Sequence, residues 1–268
     1  MRKSLMISFL LLLGLPLMGW EERGHKLVAR GSLRTLPPDL RHWYLDREDA
    51  FTRAALEPDH WKNQDADEVG RHRIFCEAYG GAAQVPLQLG AARSQVSPWV
   101  FASSGSLPWV IAERYQRLVK AFQTREPMAV VEASGWLCHY IADLQVPLHT
   151  TRNRDGKLTG QKGVHKRWET DLLEGGVSEL ASLRAAVATE DVPKAVAGWL
   201  RESNALVEPL LKADRAGTLG VRPGATTQAE LLWKAQQGTL LQQLRHSSEC
   251  TGDLLLAAWI EAGRPQRP

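Results

Sequence analysis

Between Pro127 and Leu144, apolar side chains recur at Val130, Val131, Ala133, Trp136, Leu137, Tyr140, Ile141 and Leu144. This spacing follows the helical repeat over about five turns. A helix so apolar has to be covered by other elements, which places it at the centre of the fold. Pro147 ends it. The same helix carries His139 and Asp143, four residues apart and therefore on one face, one turn from each other. Buried without partners, an imidazole and a carboxylate are costly. The helix at the centre of the molecule thus brings with it a polar pair that something must satisfy.

Helical periodicity extends to most of the chain. From Gly24 to Leu36 the apolar positions Leu27, Val28, Leu33 and Leu36 form one stripe that Pro37 and Pro38 terminate. From Leu107 to Phe122, Pro108 marks a helix start, and Trp109, Ile111, Leu118 and Phe122 recur at helical intervals. Further helices are predicted at Val164–Leu173, Val177–Ala186, Val192–Lys212 and, in two pieces, Gln228–Ala262. Alternating strand patterns are scarce. The fold class that follows is all-α. The longest loops, Asp65–Arg71, Tyr79–Ser97 and Thr150–Gly163, are where the walls of a site are expected.

At the start of the chain, Arg2 and Lys3 precede an apolar run, Leu5–Leu17, too short to span a bilayer. This reads as a signal peptide cut between Gly19 and Trp20. It makes residues 1–19 a targeting segment, residues 20–268 a single domain, and the protein an exported one. The formal net charge of +3 falls to +1 without Arg2 and Lys3, so no strong field draws in a polyanion. No later run has membrane-spanning length. Cys76, Cys138 and Cys250 are an odd number, which allows one disulfide at most or three buried thiols.

The remaining histidines sharpen the pattern. His149 lies just beyond the Pro147 break, and His165 with Glu169 repeats the four-residue spacing on the next helix. A single such pair fits a hydrogen-bonded couple as well as a metal site. Two pairs with a histidine between them supply the donors a divalent ion needs. Imidazole nitrogen with carboxylate oxygen suits zinc, and on ligand type also manganese or iron.

The string His139–His149 (HYIADLQVPLH) resembles the central motif of the superfamily that unites zinc-dependent phospholipases C with single-strand-specific zinc nucleases. The string HKRWE at His165 resembles the motif supplying two further ligands. The start of the mature chain, Trp20–His25 (WEERGH), is similar to that family's N-terminus. Asp59 in EPDHW and His72 in RHRIF, thirteen residues apart, resemble the remaining pair. The ordered set covers residues 20 to 169. The resemblance implies a compact multi-helix domain with three zinc ions. The first is held by Asp59, His72, His139 and Asp143, and the second by His149, His165 and Glu169. The third is held by the amine and carbonyl of Trp20, by His25 and by Asp143 as a bridge. It also implies that a hydroxide shared by the first and third ions attacks phosphorus, and that Asp59, Lys62 and Asp143 belong to the catalytic machinery, with Lys62 neutralising the phosphate. His42, His60 and His246 match no position of the motif, and His60 is the rival ligand because it adjoins Asp59.

The resemblance divides on substrate. Four residues lie between Trp20 and His25, as in the nucleases, whereas Glu169 is similar to the phospholipases. Arg73 and Phe75 stand where the nucleases grip a base, which makes them the candidate substrate-binding residues. The expectation is a phosphodiester hydrolase acting on single-stranded nucleic acid or phospholipid, with no obligate protein partner. The alternatives are a phosphomonoesterase of the nucleotidase kind and a non-catalytic exported metal-binding protein. Against the last, structural zinc sites are rich in Cys, and none of these ligands is one.

Overall fold

The computed structural model describes residues 20–174, 177–220 and 228–265. The expected signal peptide, residues 1–19, lies outside these. The elements, in chain order, are α1 (Trp20–Thr35), α2 (Pro38–Leu45), α3 (Glu48–Ala54), α4 (Glu57–Trp61), α5 (Glu68–Arg71), α6 (Leu89–Gln95), α7 (Pro98–Ser104), α8 (Leu107–Thr124) and α9 (Pro127–Leu144). They continue with α10 (Val164–Lys166), a π turn over Arg167–Asp171, α11 (Leu172–Glu174), α12 (Val192–Ala205), α13 (Val207–Gly220) and α14 (Gln228–Glu261). Short 3₁₀ turns fill several connections. There is no strand among the described residues, and none of the described helices is long and apolar enough to cross a membrane.

Helix starts follow simple chemistry. Proline occupies the first turn of α2, α4, α7, α8, α9 and α12, where its missing N–H costs nothing. Ser97 and Asp191 cap α7 and α12 by accepting from the backbone N–H groups of Val100 and Lys194. Helix α9 is the predicted central one: Val130, Val131, Leu137, Cys138, Tyr140, Ile141 and Leu144 are all fully buried. Helices α1, α3, α8 and α14 pack around it. Gly135 lets α3 come close, because a Cβ there would meet the Ala54 Cβ at 2.5 Å. Cys76, Cys138 and Cys250 are buried free thiols.

Three expectations about elements need correction. The segment predicted as a helix at Val177–Ala186 has no regular structure. Its backbone groups bond to other elements: Arg23 donates to the Val177 carbonyl at 3.0 Å, Arg34 to the Leu180 carbonyl at 2.9 Å, and the Ala186 N–H to the Thr35 carbonyl at 2.8 Å. Val177 and Leu180 are buried all the same, so their spacing reflects packing on α1 rather than a helical turn. The Val192–Lys212 helix divides at Leu206 into α12 and α13, because Pro209 cannot accept a continuous helix through the preceding turn. Helix α14 runs unbroken where two pieces were expected, and its length is supported by packing along α1, α8, α9 and α13. Two of the predicted loops also contain helix: α5 lies within Asp65–Arg71 and α6 within Tyr79–Ser97.

Candidate metal centre

Six segments converge at one end of α9. His25 comes from α1, Asp59 from α4, His72 from the end of α5, His139 and Asp143 from α9, His149 from the 3₁₀ turn Pro147–Thr150, and His165 and Glu169 from α10 and its π turn. Their ring nitrogens and carboxylate oxygens form two sets.

In the first set, His72 Nδ1 lies 2.7 Å from Asp143 Oδ2 and 3.0 Å from His139 Nε2, which is itself 3.4 Å from Asp143 Oδ2. Asp59 Oδ1 stands 3.6 Å from His139 Nε2 and 3.8 Å from His72 Nδ1. The orientation of His139 is set from behind. Its Nδ1 lies 2.8 Å from the carbonyl of Ala55, and a carbonyl only accepts. Nδ1 therefore carries the hydrogen, and the Nε2 lone pair points into the cluster. His25 stacks on His139 with ring centroids 4.0 Å apart, and its Nε2 is 3.7 Å from Asp143 Oδ1 and 4.0 Å from Asp59 Oδ2. Asp143 thus turns Oδ2 to His72 and His139, while Oδ1 lies 3.4 Å from His149 Nδ1 as well as 3.7 Å from His25 Nε2.

The second set is a near-equilateral triangle. His149 Nε2 and His165 Nε2 are 3.0 Å apart, and each is 3.1 Å from Glu169 Oε1. Ligand atoms around a tetrahedral zinc with bonds of about 2.0–2.1 Å are separated by about 3.3 Å. The triangle is within a few tenths of an ångström of that. The π turn that carries Glu169 is held by Arg167, which donates from Nε at 2.8 Å and Nη2 at 2.9 Å to the buried carboxylate of Asp214 on α13.

The electrostatics suit the binding of a cation. Burial, with the neighbouring His139, drives the His25 pKa down to about 3, so its imidazole is neutral at physiological pH. Burial lowers His149 as well. For Asp143 and Glu169 burial works to raise the pKa, but the surrounding imidazoles outweigh it and hold both well below the usual carboxylate range. Two buried carboxylate oxygens at the centre lack hydrogen-bond partners: Asp59 Oδ2 and Glu169 Oε1. Each such orphan costs about 1–3 kcal/mol. The donor set, its spacing and these orphan atoms fit divalent metal ions, and the buried His, Asp and Glu groups can hold them.

The sequence matches no protein-family model and no curated protein.

The centre opens into a cleft of about 230 Å³, an order of magnitude more than one water needs, whose wall also includes Lys62, Val69 and Arg154. Lys62 donates to Asp59 Oδ1. Trp20 opens α1, but the amine its ligand role requires depends on residues 1–19, outside the described residues. Arg73 and Phe75 do not line the cleft. Arg73 donates to the Val69 carbonyl at 2.8 Å and stacks its guanidinium over Phe75 at 5.2 Å. His42 and His60 are exposed, and His246 faces Glu202 at 3.6 Å, so none of the three joins the cluster.

Two residues at the centre escaped the sequence reading. Glu68, behind His72, sits four residues before it, the same spacing that singled out His139 with Asp143. Arg154 comes from a loop with no periodicity and had no such signal.

Proposed function

We propose that the protein is an exported, zinc-dependent phosphodiester hydrolase with three ions, the third completed by the amine of Trp20 once residues 1–19 are removed. The observation that carries the reading is the clustering of eight expected ligands, His25, Asp59, His72, His139, Asp143, His149, His165 and Glu169, of which all but the fully buried His139 line one cleft. Bound divalent ions supply Lewis acidity there and bring the ionisation of water close to neutral pH. The chain's own groups do the rest. Asp143 and Asp59 fix the spacing of the two halves of the first set. Burial works to raise the Asp59 pKa, but His139 and His25, with the charge of Lys62 after them, outweigh it and keep the carboxylate ionised. Arg154 offers a guanidinium to an anionic substrate entering the cleft; among the described residues it makes no hydrogen bond or ion pair.

The test is hydrolysis by protein beginning at Trp20 and loaded with zinc, with and without chelator. Single-stranded nucleic acid, phosphatidylcholine and a nucleoside monophosphate are assayed side by side. Chelator-sensitive cleavage of either diester supports the reading and names its substrate class. Turnover of the monophosphate alone assigns a phosphomonoesterase instead. Bound zinc with no turnover of any of the three leaves a metal-binding protein and overturns the hydrolase.

A further inference from the structure

Behind the first ligand set lies a buried polar chain that makes no contact with the cleft. Glu68 is 1% exposed. Its Oε1 accepts from the Tyr140 hydroxyl, and its Oε2 accepts from Arg71 Nη1 at 2.8 Å. Tyr140 in turn packs against the buried guanidinium of Arg114, 5.6 Å from the ring centroid, which is also enclosed by Trp61 at 5.6 Å and Trp136 at 5.7 Å. The arrangement holds a carboxylate rigidly where water cannot solvate it. What Glu68 Oε1 faces on its remaining side is His72 Nε2, at 3.2 Å. The approach is off the N–H axis, so the hydrogen bond is not fully formed in this structure, but no other acceptor within reach of Nε2 is found among the described residues. His72 Nδ1, on the far edge of the ring, is the atom 2.7 Å from Asp143 and 3.0 Å from His139.

We propose that Glu68 is a positioning residue for the first metal centre: it holds the His72 hydrogen on Nε2 and so commits the Nδ1 lone pair to the ion. The inference rests on the metal-binding reading of the site. A ring nitrogen ligates through its lone pair, and the partner of the opposite nitrogen decides which one is free. His139 meets the same need with the Ala55 carbonyl. His72 ends a four-residue helix and has no such carbonyl, and an anionic acceptor clamped by Arg71 and Tyr140 takes that place. The anion also makes the imidazole a stronger donor to a cation.

The test uses E68Q, which keeps the volume and removes the charge, and Y140F, which removes one of the bonds that orient Glu68. Two measurements are made. Long-range ¹H–¹⁵N NMR on the zinc-loaded protein reads which His72 ring nitrogen carries the hydrogen; without zinc, Nδ1 faces the Asp143 carboxylate, which only accepts. Competition with a chromophoric chelator reads zinc affinity, and the visible spectrum of the cobalt-loaded protein reads coordination. The expected result is an Nε2–H tautomer in the wild type that E68Q no longer enforces. Zinc binding at the first centre should weaken about 10–100-fold in E68Q and less in Y140F, with an altered cobalt spectrum in E68Q. Wild-type affinity and spectrum in a folded E68Q overturn the proposal, as does an Nδ1–H tautomer in the wild type. If the wild-type protein binds no zinc, the metal reading itself fails, a result distinct from an E68Q variant that binds zinc normally.

Discussion

Gly135 on α9 lies against Ala54 so closely that a Cβ at position 135 would stand 2.5 Å from the Ala54 Cβ and 2.8 Å from its carbonyl carbon. One turn further along α9, His139 donates to the carbonyl of Ala55, the next residue of that same strand of backbone. The close approach is therefore what delivers the acceptor that orients a metal ligand. Gly135→Ala should force α3 and α4 away from α9. We expect a loss of about 1–3 kcal/mol in urea unfolding, accompanied by weaker zinc binding, since Asp59 rides on α4. Unchanged stability in the alanine variant would show that the two backbones are not tightly apposed.

Asp143 should be the ligand whose loss costs most. Its Oδ2 faces His72 and His139, and its Oδ1 faces His25. Asp143→Asn should reduce bound zinc by more than one ion per chain, whereas His165→Ala should remove one, the ion held by the triangle. Metal analysis of the two purified variants after dialysis decides it; equal losses would mean that Asp143 serves a single ion.

Acid should destabilise the metal-free protein well before ordinary carboxylates titrate. His25 has a folded pKa of about 3 against an unfolded value of 6.5, so between those pH values the unfolded chain binds the extra proton. Stability then rises with pH across that window, by up to about 1.4 kcal/mol per pH unit for one proton, and is lost as pH falls. His149, also lowered, acts in the same direction. His72, raised because its bond and charge contacts with Asp143 and Glu68 outweigh burial, acts in the opposite one: its contribution is present at low pH and fades as pH rises through its folded value. Below pH 6.5 the His72 contribution is complete and constant, whereas those of His25, His149 and His246, all lowered chiefly by burial, continue to be lost, so stability falls on acidification from pH 6.5 to 5. Asp59, Asp143 and Glu169, all lowered, add their loss at lower pH still. Urea midpoints measured in chelator should drop over that range; a midpoint that climbs toward pH 5 would contradict the neutral burial of His25.

Arg154→Ala should act on substrate binding rather than on the centre. With zinc content unchanged, KM for a phosphodiester is expected to rise about 10–100-fold while kcat changes little, the pattern of an interaction made equally in the ground and transition states. A fall in kcat at constant KM would assign Arg154 to the transition state instead.

If the Trp20 amine is a ligand, a protein carrying one additional residue before Trp20 should lose most activity and one zinc ion, because the nitrogen at that position becomes an amide. Full activity in the extended protein would remove Trp20 from the centre.

Much of this molecule is written in local pattern. The central helix, its proline start and its His139–Asp143 face follow from residue spacing alone, as do the His165–Glu169 pair and the all-helical class. These depend on neighbours three and four residues away, and the helical repeat makes such neighbours visible in one dimension. What only the tertiary structure decided has longer reach. The Val177–Ala186 stretch has helical periodicity yet gives its backbone bonds to α1. Glu68 becomes significant only when α5 is folded against Tyr140, and Arg154 only when its loop closes on the cleft. Arg73 and Phe75, adjacent in pattern to His72, pair with each other and are not among the residues lining the cleft. Imidazole and carboxylate atoms from six segments each come within about 3–4 Å of a neighbour from another segment because α1, α3, α8 and α14 all pack on α9. That convergence is set by packing between residues as far as 118 positions apart, as His25 and Asp143 are, and no local spacing encodes it.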